Sequence, residues 1–122
     1  MTENDVLSLF NEWNSALKTG NPKAVLGLYA QDATLLPTLS HKVCRSPRAI
    51  EDYFVTFLAK KPRGQIVDAE VRIFGNIAIN SGVYVFTFDD CDTAQARFTF
   101  VYHFNGQRWM IVEHHSSLMP AE

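Results

Sequence analysis

Four polar side chains near the end of the sequence are the strongest candidates for chemistry. Arg97 and Thr99 stand two residues apart, and so do Glu113 and His115. Residues two apart in a strand project from the same face, so each pair can present its polar groups together. An arginine can hold a carboxylate through two hydrogen bonds, and a histidine beside a glutamate can transfer protons. We predict that these four residues line a binding site, with His115 and Glu113 as the candidate catalytic groups.

Three further residues are candidate ligand contacts. Arg45 precedes a predicted helix and could supply a second cation at the mouth of a pocket. Trp13 and Tyr53 occur at helical spacing, which is typical of a core. Both are core residues by default, and they enter the predicted site only through the family resemblance described below.

A structural interpretation of the same residues stays open. His115 could be a half-buried histidine at a strand end with its hydrogen bonds satisfied, and Arg97 could pair with Glu113 rather than with a ligand. Adjacent His114 and His115 point to opposite faces of a strand, so they cannot chelate one metal ion together. The sequence holds neither an HExxH motif nor a spaced Cys/His set. It therefore predicts no metal site and no cofactor.

Composition restricts the class of protein. The 122 residues match a single domain over 1–122, and 47% of them are hydrophobic, which is enough for a core. The formal net charge of −2 gives no electrostatic reason to expect a nucleic-acid partner. No apolar run approaches the roughly 20 residues that span a bilayer, so no membrane partner is predicted. Cys44 and Cys91 alone make no disulfide framework, which favours a reducing cytoplasm.

Helical periodicity dominates the first half of the chain. Four apolar residues at the spacing of one helix face predict a helix over 3–18 (Val6, Phe10, Trp13 and Leu17). Asn21 and Ser46 are capping side chains, and each is followed by a proline. They predict a second helix that ends near residue 31 and a third that ends near residue 60.

Strand periodicity replaces helical periodicity from residue 65 onward. Alternation predicts four long strands, and a brief strand is expected earlier, over 33–36. The long strands are expected over 65–74, 77–88, 93–104 and 108–117. Helices followed by a run of antiparallel strands predict an α+β fold, with three helices packed on one face of a curved, mainly antiparallel sheet.

The hairpin between the last two strands decides which of their side chains are neighbours. A two-residue turn at Asn105-Gly106 and a turn one residue longer both remain open. Turn preference favours the shorter turn. Side-chain pairing favours the longer one, which sets Arg97 opposite His115 and Thr99 opposite Glu113. We predict the longer turn.

Alternation along these strands separates an aromatic side from a polar side. Three helices can cover only one face of the sheet, and we expect the polar side beneath them, lining a cavity. The aromatic side would then be an exposed patch of a size that soluble monomers rarely tolerate. We predict a homodimer or larger self-assembly through that side (Phe98, Phe100 and Tyr102).

Two segments resemble a known family. Residues 52–58, which begin Asp52-Tyr53-Phe54, and the closing residues 109–117 are similar to the association domain of calcium/calmodulin-dependent protein kinase II. That domain belongs to the nuclear transport factor 2-like superfamily, which includes polyketide cyclases and steroid isomerases. The resemblance implies a cone-shaped α+β fold, oligomerisation through the sheet and a pocket for a small acidic molecule. A pocket arginine of that family aligns with Thr99, two residues from Arg97.

Three functions follow from these observations. The favoured one is an oligomeric binding module with a pocket between sheet and helices for a small anionic ligand. The alternative is an isomerase- or cyclase-type enzyme with His115 and Glu113 as its acid–base groups, which requires that Arg97 does not neutralise Glu113. The third is a domain whose only activity is self-association.

Overall fold

A computed structural model describes residues 1–121 of the chain. It contains three helices and five strands, as the predicted α+β fold requires. In chain order the elements are α1 (Glu3–Lys18), α2 (Pro22–Leu26), β1 (Tyr29–Leu36), α3 (Pro47–Leu58), β2 (Arg63–Phe74), β3 (Ile77–Thr87), β4 (Thr93–Phe104) and β5 (Trp109–Leu118).

The helix starts follow from local side-chain chemistry. Thr2 and Asp5 each accept a hydrogen bond from the other's backbone N–H at the start of α1, which satisfies two N–H groups that the helix leaves free. Asn21 and Ser46 cap α2 and α3 as predicted. Helix α2 ends at Leu26, earlier than predicted, because Gly27 follows it and β1 already begins at Tyr29.

The five strands form one sheet in the order β1-β5-β4-β3-β2. Strands β2 to β5 are antiparallel neighbours along the chain, and β1 pairs with β5 in parallel. Strand β2 stands at an edge and carries a bulge between Ile66 and Asp68. Gly82 of β3 lies beside this bulge, where a Cβ atom would overlap the Asp68 carbonyl. The mainly antiparallel sheet of the prediction is confirmed.

The hairpin register differs from both predicted registers. Phe104 pairs with Trp109, so the loop spans residues 105–108. The side chain of Asn105 accepts hydrogen bonds from the backbone N–H groups of Gln107 and Arg108, at 2.9 and 3.0 Å. These two bonds stabilise the longer loop in place of the predicted turn.

A bulge in β5 shifts the register once more. Tyr102 pairs with Ile111, whereas Val101 pairs with Glu113, so Val112 is the extra residue. Beyond the bulge Thr99, rather than Arg97, stands opposite His115. The combined shift is two residues, which is why the predicted sets of side chains still share a face.

The covered face of the sheet is the aromatic one. Phe98, Phe100 and Tyr102 are almost completely buried, and the Phe10 ring of α1 lies 6.5 Å from Phe98 between ring centroids. Trp13 of the same helix lies 5.3 Å from Phe100. The prediction that these rings contact another copy of the chain is therefore wrong. Burying each ring under the chain's own helices stabilises the fold by roughly 1.5–3 kcal/mol.

The polar side of the same strands lies on the open face of the sheet. Arg97, Glu113 and His115 are exposed there, and Thr99 is half-buried. The expected position beneath the helices is wrong, because charged groups left in water avoid the cost of desolvation. Arg97 pairs with Ser117 rather than with His115, the partner that the predicted register gave it.

Candidate functional site

A small cavity lies between the helices and the covered face of the sheet. It has room for about one water molecule. Helices α1 and α3 supply one wall, the end of β1 supplies another, and β3 and β5 supply the floor. Aromatic rings and hydroxyl groups dominate the lining, and its polar members are Trp13, Thr38, Tyr53, Tyr84, His114 and Ser116.

One end of the cavity is organised by hydrogen bonds to His114. The indole N–H of Trp13 donates to the Tyr29 hydroxyl at 3.1 Å, and this hydroxyl lies 2.8 Å from His114 Nδ1. Tryptophan can only donate, so the Tyr29 oxygen accepts from it and gives its own proton to Nδ1. With Nδ1 as the acceptor, a neutral His114 has its ring proton on Nε2.

The hydrogen-bond chain continues from the other ring nitrogen to the far wall. His114 Nε2 lies 3.2 Å from the Tyr84 hydroxyl, which donates to Ser116 Oγ at 2.6 Å. The Ser116 hydroxyl contacts the Thr38 hydroxyl, and the Thr38 carbonyl accepts from Tyr53 O–H at 2.9 Å. The chain joins α1, α3, β1, β3 and β5, and Tyr53 donates into its far end at Thr38.

The cavity carries no charge at neutral pH. Burial, with a smaller contribution from the neighbouring His115, lowers the pKa of His114 to about 3. Burial also raises the pKa of Tyr29, Tyr53 and Tyr84. The His114 ring stacks on Phe100 with 4.0 Å between centroids, which leaves no space for a counter-ion against that face. The lining offers neutral hydroxyls and a neutral imidazole.

Two of the predicted site residues line this cavity. Trp13 is buried in its wall, and Tyr53 is half-buried with its hydroxyl on Thr38. Arg45 is exposed just before α3 and is not among the lining residues.

The other four predicted site residues lie across the sheet from the cavity. All four are on the open face, where Thr99 pairs with His115, while Arg97 and Glu113 stand at opposite ends of the group. Whether they bind a ligand stays a prediction. The polar cavity residues that the sequence did not indicate are Thr38, Tyr84, His114 and Ser116, together with Tyr29, which lies behind His114 and hydrogen-bonds it. Alternation had placed His114 and Ser116 on one side of β5, but on the side assigned to a partner.

Two further properties hold for residues 1–121. Within that range, no three His, Cys, Asp or Glu side chains lie close enough to hold one metal ion. No helix of the described part is long and apolar enough to cross a membrane.

A five-stranded sheet with three helices on one face and a cavity between them is the nuclear transport factor 2-like fold. A protein of that class from Shewanella oneidensis has a TM-score of 0.79 at 19% identity, covering 96% of this chain and 99% of its own. A proposed dehydratase of the same class from Streptomyces avermitilis has a TM-score of 0.78 at 14% identity, covering 95% and 94%. At these identities the likeness establishes the fold alone.

A more specific relationship is visible over nearly the whole chain. The family model of the calcium/calmodulin dependent protein kinase II association domain matches residues 2–120. A proposed association domain of this kind from Xanthomonas campestris is 45% identical, with a TM-score of 0.94, and the alignment covers 100% of this chain and 91% of that one. A comparison with curated proteins found no match. The chain belongs to the calcium/calmodulin dependent protein kinase II association domain family.

Proposed function

We propose that this chain is a self-associating domain that also holds a small anionic molecule in the cavity beneath its helices. The observation that carries the assembly is the open face of the sheet, which the helices leave uncovered. Half-buried branched side chains run along its centre, and they are Ile77, Ile79, Val83, Val85 and Val101. Apolar centres with polar rims are typical of protein–protein contacts.

Charges on the open face support contact between two copies. Arg72, Ile79, Val101 and Glu113 form one row across four strands, with opposite charges at its two ends. Two copies that meet about a twofold axis can set the cation of one row against the anion of the other. The assembly is a homodimer or larger, formed by this face.

Ile79→Glu is expected to dissociate the assembly while the monomer stays folded. The new carboxylate would be buried against a second copy, but in the monomer it lies beside Arg72 in water. Light scattering at micromolar concentration should give a smaller mass for this variant than for the wild type. Val55→Glu, at an exposed position of α3, is the matched control and should keep the wild-type mass. A monomeric wild type would refute the assembly.

The ligand assignment is supported by the donors around the cavity. The hydroxyls of Tyr53, Tyr84, Thr38 and Ser116 can all donate to a carboxylate. A hydrogen bond to a charged group contributes about 1.5–3 kcal/mol. Because the space holds about one water molecule, the buried part of the ligand is one small group that replaces the contact between Thr38 and Ser116.

Small carboxylic acids are expected to bind the wild type, and Tyr53→Phe should weaken binding by about tenfold, because one hydroxyl donor is lost. Isothermal titration calorimetry with a panel of such acids measures this. Arg97→Ala, on the opposite side of the sheet, is the control and should leave affinity unchanged. Equal affinity of Tyr53→Phe and the wild type would exclude the cavity as the site.

The enzymatic alternative has less support. His115 and Glu113 are exposed on the open face, so they cannot act as an acid–base pair inside the cavity. His114 is inside, but a histidine whose pKa is lowered to about 3 is a weak base at neutral pH. If no acid in the panel binds, self-association alone is the remaining function.

A further inference from the structure

A groove of about 510 Å³ lies on the outer side of the cavity wall. It runs between residues 36–43, here called the entrance segment, and the end of β5. Pro37, Thr38 and Ser116 line both this groove and the cavity. A single layer of side chains therefore separates the cavity from solvent at this point.

The contacts in this layer are few and polar. The hydroxyls of Thr38 and Ser116 are in contact, and the Tyr53 hydroxyl donates a hydrogen bond to the Thr38 carbonyl. Water can replace a hydroxyl–hydroxyl contact at small net cost, so this contact can open more readily than the packed aromatic walls around the rest of the cavity.

The entrance segment is anchored at its base and strained at its tip. Leu35 and Cys44 exchange two backbone hydrogen bonds of 2.8 Å, which close the segment into a loop. Leu39 has φ of 67°, a left-handed conformation that costs a branched side chain roughly 1–2 kcal/mol, and its side chain is 53% exposed. Displacing the tip relieves this strain, and the Leu39 side chain is already more than half exposed.

The lining of the groove includes a cationic side chain and no carboxylate. Its titratable lining residues are His41, Lys42 and His115, and the lining includes no Asp or Glu. Lys42 is exposed and can reach an anion before the ligand meets the uncharged cavity. His115, predicted from the sequence as a ligand contact, stands at this rim.

We propose that this groove is the entrance and outer binding site for a small anionic ligand. The entrance segment moves away from β5, the contact between Thr38 and Ser116 opens, and the anion passes from Lys42 to the hydroxyls of the cavity. The anionic character of the ligand rests on the proposed function. The position of the entrance does not.

A disulfide across the wall tests the entrance without any ligand. In a Trp109→Phe, Cys91→Ser background, Trp13 is the single tryptophan and reports on the cavity by its fluorescence. The hydroxyls of Thr38 and Ser116 are in contact, so cysteines at these two positions are within bridging distance. Oxidation should reduce acrylamide quenching of Trp13 by about tenfold, and reduction should restore it. Equal quenching in the oxidised and reduced forms would overturn the proposal.

Substitutions in the entrance segment give a second test that needs no cross-link. Thr38→Val removes the hydroxyl contact but keeps the side-chain volume, and acrylamide quenching of Trp13 should rise about threefold to tenfold. Thr34→Val, the same change outside the groove, should have no effect. Unchanged quenching in Thr38→Val would contradict the proposed opening.

Iodide, an anionic quencher, tests the charge preference. Lys42→Gln should lower iodide quenching of Trp13 and leave acrylamide quenching unchanged, and equal iodide quenching before and after this change would refute the anionic assignment. If carboxylic acids fail to bind in calorimetry but the acrylamide results hold, the entrance stands and the proposed ligand is wrong.

Discussion

Acidification from pH 6.5 towards pH 3 is expected to remove several kcal/mol of folding stability through His114. An unfolded histidine titrates near pH 6.5, whereas burial lowers the pKa of folded His114 to about 3. Between these values the unfolded chain binds a proton that the folded chain does not. Stability therefore falls as pH falls, by up to about 1.4 kcal/mol per pH unit, and the contribution is complete above pH 6.5.

Urea unfolding measured across this range tests the assignment to one residue. The wild type and His41→Gln, which replaces an exposed histidine, should show the same steep dependence on pH. His114→Gln should be less stable at neutral pH, since it disturbs the hydrogen bonds of Tyr29 and Tyr84, and should lose most of the slope. An unchanged slope in His114→Gln would show that another group is responsible.

Trp13→Ala is expected to cost about 3–5 kcal/mol of folding free energy, from lost transfer energy and the cavity left behind. The side chain is 1% exposed, stacks on Tyr84 and meets the edge of Phe100. Its loss also leaves the Tyr29 hydroxyl without a donor. A change of this size approaches the whole stability of a small domain.

The matched control for this substitution is Trp109→Ala. Trp109 is half-buried beside the β4–β5 hairpin, so its truncation should cost much less. Denaturant titrations of the two variants measure the difference directly. A cost for Trp13→Ala as small as the one expected for Trp109→Ala would mean that Trp13 faces open space rather than a packed wall.

Local structure was predictable because local chemistry decides it. The helix over residues 3–18 follows from apolar spacing, and α3 begins where Ser46 and Pro47 indicate. Apolar and polar residues alternate along the long strands, and this alternation shows in the sequence where each strand lies. Each of these features depends on neighbours within one or two turns.

The register of the last hairpin was not predictable by the same means. Alternative registers differ by only a few tenths of a kcal/mol in the free energy of their cross-strand pairs. In addition, the side chain of Asn105 stabilises a longer loop. The bulge at Val112 adds one residue that no pairing pattern indicates. Together they shift the pairing by two residues.

The cavity depends on contacts between distant parts of the chain. The ring nitrogens of His114 form hydrogen bonds with the hydroxyls of Tyr29 and Tyr84, which are 85 and 30 residues away in sequence. His114 is buried only if the helices cover its side of the sheet. Alternation separates the two sides but does not indicate which of them the helices cover. Phe10 and Trp13 settle the choice because their rings pack against the aromatic side.

The bulged edge strand β2 bears on how copies of the chain can meet. A flat sheet edge offers unpaired backbone groups that recruit strands from other molecules into fibrous aggregates. The bulge beside Asp68 interrupts that template, and Glu70 and Arg72 add exposed charges to it. Growth of a continuous sheet from one chain to the next is thereby disfavoured at this edge. The proposed contact through the open face does not use this edge, and a face-to-face contact about a twofold axis closes on itself.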